Sequence, residues 1–419
     1  MNEISAFFSA DPDAIAWPYP MYERWQQGTG VVRWDDGPAL LVTKHRDVKA
    51  VMSGTYPNSH NGYRYGRLAE GVVSRLPQEQ HEVFFKIMDF ESLFMSRNDG
   101  EEHARLRRIS VRAFTARRIA QLRDSIQRHV DDLIAAMVDR AGADGIADIK
   151  TELANQLPVR VIVDLIGVPQ SDRDAIWEWG EALAAHMSPG SESLARADAA
   201  IDAFKDYVRA MVERLHRTGD GPELARIMLE GHSNEALTED ELVAMFVLIL
   251  FGGSETTTNL LGNGFLALQR HRDAWDQLVA DPSGVRHSIE EMIRYDSPHH
   301  YLPRVALDDF DLGGEQVEAG DTLIIIMGAA NRDPDVFSEP ARFDIARRNA
   351  AEHLSFGFGA YFCLGAALAR LEGEIVFETL VRRFPHARLL SDDVADITYG
   401  GSAMLRAIQQ LPTELGKPA

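Results

Sequence analysis

Phe356-Gly357-Phe358-Gly359-Ala360-Tyr361-Phe362-Cys363-Leu364-Gly365 is the stretch on which the reading of this chain turns. It holds the single cysteine among 419 residues. One cysteine rules out an internal disulfide, a Cys-ligated iron–sulfur cluster and a multi-Cys zinc site within the chain, so any thiolate chemistry falls to Cys363. Two glycines allow a tight turn in which backbone amides approach one atom closely. An amphipathic pattern over Leu364–Phe384 follows at once. The cysteine thus falls just before a helix start, where free N–H groups and the dipole lower a thiol pKa and hold a thiolate. Phe356 and Phe362 would keep water away. An isolated cysteine is more often a small buried apolar residue; the glycine turn and the helix start favour the thiolate here.

Outward from the loop, a second feature stands apart. Thr238 and Glu241 have the Thr-x-x-Glu spacing of a capping box. The apolar pattern then runs to about Arg272, which predicts a helix of roughly 30 residues and on the order of 45–50 Å. Its middle is Gly252-Gly253-Ser254-Glu255-Thr256-Thr257-Thr258. Glycines and β-branched residues are poor helix formers, each glycine costing about 1 kcal/mol against alanine. Either another helix crosses closely there, or the helix is opened beside a buried ligand, since weak local propensity at a core position tends to mark function.

The rest of the chain reads as mainly α with a small β portion. A strand pair surrounds Asp35-Asp36-Gly37, a helical, Arg-rich pattern runs from Glu101 to about Val138, and helices continue over 151–230 with breaks at Pro189-Gly190 and Thr218–Gly221. A hairpin turns at Leu312-Gly313-Gly314, and Thr322–Ile326, apolar and β-branched, is the strand that follows. No linker separates domains, so residues 1–419 are expected to form one. Apolar residues make up 45% and charged residues 26%, which excludes disordered, collagenous and coiled-coil classes. A net charge of −21 argues against nucleic acid or anionic lipid as the main partner. The longest apolar run, Leu242–Phe251, is short of a bilayer span, and Met1–Pro20 lacks a basic region before an apolar stretch. A cytoplasmic protein is expected.

The Phe-Gly-x-Gly-x-x-x-Cys-x-Gly loop resembles the haem-ligand loop of the cytochrome P-450 family. Gly252-Gly253-Ser254-Glu255-Thr256-Thr257 resembles that family's oxygen-activation segment, and Glu291-Met292-Ile293-Arg294 its Glu-x-x-Arg signature. Pro340-Ala341-Arg342-Phe343 resembles the segment supplying the third member of that charge triad, here Arg342, and His103-Ala-Arg-Leu-Arg107 a propionate-binding pair. The motifs stand in the family's order over about residues 100–370. Glu-x-x-Arg alone is weak; with the cysteine loop the set is very specific.

The resemblance implies the P-450 fold, a long central helix over a haem b, and a haem-thiolate monooxygenase of the soluble bacterial type. It makes Cys363 the axial thiolate, with the amides of Leu364 and Gly365 donating to its sulfur, in a cofactor loop that includes Phe356, Gly357 and Tyr361. A thiolate ligand favours O–O cleavage. Glu255 and Thr256 are the proton-delivery pair, a carboxylate relaying from solvent and a hydroxyl holding the water or peroxide in a dry site. Glu291, Arg294 and Arg342 are structural. His103, Arg107, Arg304 and His353 are expected to bind the haem propionates, for which Arg has fork geometry. One departure is Tyr361, where the family usually has His or Arg two residues before the cysteine; a phenol can donate there, without charge.

Over the haem, the resemblance places a pocket roof in about His60–Asp99, with Tyr63, Tyr65, Phe84, Phe85, Phe90 and Phe94, and further walls at Gly252, His299, His300, Tyr301 and Leu302. The two histidines either hydrogen-bond a polar group of the substrate or turn to backbone or propionate. Gly357-x-Gly359 lacks the third glycine of a dinucleotide fingerprint and Gly252-Gly-Ser254 is no nucleophile elbow. Electrons are therefore expected from a separate protein, a ferredoxin with its reductase. Six arginines and no acid between His103 and Arg118 suggest where an acidic donor docks. The expected reaction is oxidation of an organic small molecule by O2 in secondary metabolism. Alternatives are oxidative coupling or ring closure, and a haem-binding protein without catalysis.

Overall fold

The computed structural model describes residues 2–35, 39–62, 73–74, 76–185, 191–219, 221–234, 236–391 and 396–416. Asp36 and Gly37 of the first turn, Tyr63 and Tyr65, the break at Pro189 and Gly190, and Asp220 lie outside them.

The long helix spans Glu239–Arg270, and the capping box forms: Thr238 Oγ accepts from the Glu241 amide while the Glu241 carboxylate accepts from the Thr238 amide. By length and composition this helix is apolar enough to cross a membrane. Its apolar residues are instead sunk in the protein, from Leu242 to Leu250 and again from Thr257 to Gln269. The helices Gln156–Ile166, Val285–Tyr295 and Ala366–Arg383 pack around it.

Its weak middle stays helical, and its two glycines have different reasons. A Cβ on Gly253 would lie 2.6 Å from Ile162 Cδ1, so the helix Gln156–Ile166 crosses closely there. A Cβ on Gly252 would meet nothing within 4 Å, because Gly252 borders a cavity. Three hydroxyls in this segment donate to the carbonyl four residues back: Ser254 to Leu250 (3.2 Å), Thr256 to Gly252 (3.1 Å) and Thr257 to Gly253 (3.2 Å).

Among the described residues the β portion comprises three smaller sheets and one of five strands, in the order Val31–Trp34, Ala39–Val42, Thr322–Ile326, Tyr301–Ala306, Asn58–Ser59. Ala39–Val42 runs parallel to Thr322–Ile326, and the other pairs are antiparallel. Two of the three inner strands, Ala39–Val42 and Thr322–Ile326, are buried on both faces, which explains their largely apolar sequence. The hairpin Phe310–Leu312 and Glu315–Val317 turns on Gly313 (φ 64°) and Gly314 (φ 94°), the positive φ pair that a two-residue hairpin loop requires.

Two boundaries shift from expectation. The Arg-rich stretch is three helices, Gly100–Val111, Ala116–Gln121 and Arg123–Ala141. The helix after the cysteine begins at Ala366, two residues later than its apolar pattern suggests.

Candidate active site

Between the long helix and the cysteine loop lies a cavity of about 320 Å³. Its floor is the loop. Gly357 (φ 73°) and Gly359 (φ 68°) occupy the left-handed region that side chains resist, and the Cys363 amide donates to the Phe356 carbonyl at 2.7 Å. This bend turns Cys363 toward the cavity, with Phe356, Gly357, Tyr361 and Gly365 beside it on the wall. Burial pushes the thiol pKa up, opposed by the amides of Gly365 and Ala366 and by the charges of Arg107 and Arg370. The amides that face the sulfur are therefore those of 365 and 366, not 364 and 365, because the helix starts later.

On one side, the helix Gly100–Val111 presents His103 and Arg107, one turn apart on the same face, to the cavity. Arg107 Nη2 also donates to the Phe362 carbonyl at 2.7 Å, tying that helix to the loop. Arg304 comes from the strand Tyr301–Ala306; it is buried, its Nε has no hydrogen-bond partner among the described residues, and burial lowers its pKa to about 10. A buried guanidinium without a carboxylate partner is costly. Two arginines and a histidine beside an apolar space fit a flat ligand with carboxylates at one edge, and a cysteine on the floor fits a metal at its centre. Among the described residues no cluster of three or more His, Cys, Asp or Glu forms a metal site.

The cytochrome P450 family model matches residues 186–410. PikC, a cytochrome P-450 monooxygenase of Streptomyces venezuelae, is 38% identical over 96% of this chain and 91% of its own length. PksS of Bacillus subtilis, a polyketide biosynthesis cytochrome P-450, is 34% identical over 91% of this chain and 90% of its own. The solved structure of PksS superposes with a TM-score of 0.85 at 31% identity, covering 98% of this chain and 100% of that one. The chain belongs to the cytochrome P-450 family. It is an oxidoreductase whose cofactor is haem b.

In this P-450 the Glu-x-x-Arg pair is fully buried. Arg294 forks onto Glu291 (2.7 and 2.9 Å) and also donates to the carbonyls of Asn331, Pro340 and Arg342. The third member of the triad is Arg347, not Arg342. Arg347 Nε lies 3.2 and 3.1 Å from the two Glu291 oxygens, and its Nη atoms hold the carbonyls of Ser338, Glu339 and Arg342. Arg342 contributes only its carbonyl; its side chain is 61% exposed beside Glu339 and Asp344.

Other expected site residues separate. Gly252, Thr256, His299 and Leu302 line the cavity. Glu255 does not: it borders a smaller cavity of about 40 Å³ across the helix, with Trp177, Phe204 and Ser254. Burial lowers the His299 pKa to about 4, with the Arg304 charge adding, and its Nδ1 has no hydrogen-bond partner among the described residues. His300 faces the other way, its Nδ1 2.9 Å from the Tyr22 hydroxyl, and Tyr301 packs on Phe7 and Phe8. The two histidines lie in the turn between the helix Val285–Tyr295 and the strand Tyr301–Ala306, where the chain changes direction. His353 is not on the cavity wall either. Its Nδ1 accepts from the Ser355 amide (3.2 Å) and its Nε2 lies 3.3 Å from Glu290, which Arg370 also holds. Phe84 and Phe94 are buried in the main core, and Phe85 is 48% exposed on the outer surface; none reaches the cavity.

Among the ionisable residues of the wall, sequence reasoning missed two. His60 follows the short strand Asn58–Ser59 and stands beside Arg304 on the wall. Glu372 lies on the helix Ala366–Arg383, with no hydrogen-bond partner for either oxygen among the described residues; burial raises its pKa well above the usual range and keeps it neutral. A lone acid in that helix's buried face was its only signal.

Proposed function

We propose that this P-450 is a haem-thiolate monooxygenase that oxidises an organic small molecule of secondary metabolism with O2 and electrons from a separate ferredoxin and its reductase. The observation that carries the reading is the lone Cys363 beneath two left-handed glycines, opening onto the cavity that Thr256 faces from the long helix. Cys363 would ligate the iron, and the amides of Gly365 and Ala366 would temper the sulfur. Arg107, His103 and Arg304 would hold the propionates. The haem, when bound, supplies the redox chemistry by which O2 is reduced and the substrate oxidised.

The protein's own part is to hold substrate, exclude bulk water and move protons. Thr256 Oγ reaches the cavity while its proton is shared with the Gly252 carbonyl, so its oxygen is free to accept from a proton source. Glu255 fronts the neighbouring small cavity, which has room for a water. The pair spans the helix from one cavity to the other, which suits a relay. Thr256→Ala is expected to keep haem and substrate binding but send most of the reducing equivalents to hydrogen peroxide. Product and peroxide counted per NADPH consumed test this; unchanged coupling would remove Thr256 from the relay.

His299, Leu302, Met245, Leu248 and Ile249 make a mostly apolar substrate wall with one neutral imidazole. A spin-state titration across a compound library tests the reading and identifies ligands. Product analysis then separates hydroxylation from oxidative coupling. The second outcome has support from a structural neighbour described as the P-450 enzyme CxnD for C–S bond formation in chuangxinmycin biosynthesis, with TM-score 0.84 at 28% identity over 99% of this chain and 97% of that one.

The basic island is partly neutralised in space. Arg105 pairs with Glu241, Arg112 with Glu230 and Arg118 with Glu223. Arg117 lines a surface groove with Arg112 and Arg118 and has no ion pair among the described residues. Arg117→Glu is expected to slow ferredoxin reduction several-fold at low salt, with substrate affinity unchanged, because steering charges act on the association rate and are screened over about 10 Å. Stopped-flow reduction at two ionic strengths checks this; a salt-independent rate places docking elsewhere.

A further inference from the structure

Tyr361 stands where the family usually has a charged propionate ligand, and its hydroxyl is engaged elsewhere. It lies 3.0 Å from Asp99 Oδ1 and 3.1 Å from the Asn98 carbonyl, so its single proton is committed to that pair. Its ring is the filling of a stack. His60 lies on one side with centroids 3.5 Å apart and planes within 19°, and His103 on the other at 3.9 Å and 24°.

The His60 ring is fixed on two sides. Its Nδ1 lies 2.8 Å from Asp99 Oδ1, and Asp99 also accepts the Ser59 hydroxyl and the His60 amide. Although burial pushes the Asp99 carboxyl up, those hydrogen bonds hold it down at about 2, so it is an anion. An anionic acceptor fixes the proton on Nδ1 and leaves Nε2 for the cavity. Among the described residues Nε2 is buried without a hydrogen-bond partner, and it shares the cavity lining with Arg304, whose Nε is likewise unpartnered, and with His103 and Arg107. Two unpartnered buried nitrogens on one wall, next to an arginine that reaches the cysteine loop, form a socket for a carboxylate.

We propose that His60, through Nε2, supplies the haem-propionate contact that Tyr361 does not, with Asp99 and the Tyr361 ring as its positioning partners. Burial lowers the His60 pKa to about 4, so the ring is neutral with its proton on Nδ1 until a second carboxylate faces it. The propionate would supply that charge and draw a proton onto Nε2, which would then donate to it from between two carboxylates, Asp99 and the propionate. The assignment rests on haem occupying this cavity, which the wild-type ferrous–carbonyl spectrum tests separately.

The experiment uses the purified holoenzyme. Haem transfer to excess apomyoglobin gives the haem-loss rate, and resonance Raman gives the propionate bending modes. His60→Phe keeps the stack and removes the nitrogens. It should raise the haem-loss rate about tenfold or more, the weight of one hydrogen bond to a charged group. It should also shift a propionate mode and leave the thiolate Soret band in place. Asp99→Asn should move both readouts the same way, by less. Tyr361→His added to His60→Phe returns a donor two residues before the cysteine and should bring haem loss back toward wild type. If His60→Phe does not load haem, His60→Gln decides: loading with an altered propionate mode supports the contact, and equal failure overturns it. Unchanged haem loss and unchanged modes in His60→Phe overturn it too, as does a change confined to the substrate spin-state titration, which would assign Nε2 to substrate.

Discussion

Cys363→Ser is expected to abolish the long-wavelength Soret band of the ferrous–carbonyl complex and, with it, monooxygenase turnover. Serine is close to isosteric and keeps the loop: the amide bond from residue 363 to the Phe356 carbonyl is backbone, and the two positive φ values belong to Gly357 and Gly359. What changes is the donor atom. A thiol deprotonates readily when a metal and two amides face it, whereas an alcohol does so far less readily. Haem should still enter, because the propionate socket of Arg107, His103 and Arg304 is untouched. The variant should therefore bind haem and lose the thiolate spectrum. With no other cysteine in the chain, nothing can substitute. A variant retaining the band unchanged would overturn the assignment of Cys363 and the reaction class proposed from it.

Features that depend on short sequence separations were readable, and those made by distant segments were not. The capping box, the Gly313-Gly314 hairpin and the buried strand Thr322–Ile326 lie where the sequence places them, because each is fixed by residues within a few positions. The cysteine loop was legible for the same reason. The side of an element that a residue faces was harder to read. His299 and His300 are adjacent and look equivalent, yet one lines the cavity and the other turns to Tyr22. Glu255 and Thr256 divide across a helix in the same way. The acids that offset the arginines at 105, 112 and 118 come from residues 241, 230 and 223, more than a hundred positions away. Likewise His60 reaches the site only through contacts with Asp99 and Tyr361.

The triad offers the second large effect, and it distinguishes two arginines that the sequence alone could not. Glu291 is fully buried and accepts from Arg294, Arg347 and the Asp344 amide. Glu291→Ala would leave two guanidiniums buried without a counter-charge. Removing one partner of a buried pair costs about 3–5 kcal/mol, against a total stability of about 5–15 kcal/mol for a folded protein. The variant should thus show greatly reduced folded yield and haem content. Arg347→Ala should fall in the same range, since it also releases the carbonyls of Ser338, Glu339 and Arg342 beside the segment leading to the cysteine loop. Arg342→Ala should stay within about 0.5 kcal/mol of wild type, because its side chain is on the surface and its carbonyl, the part the network uses, survives any substitution. Urea denaturation of the holoenzyme, with haem content read from the pyridine haemochrome, checks all three. If Arg342→Ala were as damaging as Arg347→Ala, the triad would be the one the sequence motif suggests. The asymmetry expected here has a simple cause: the segment 338–342 gives its carbonyls to the core, and Arg347 holds three of them while also reaching Glu291, whereas the Arg342 side chain points to the surface.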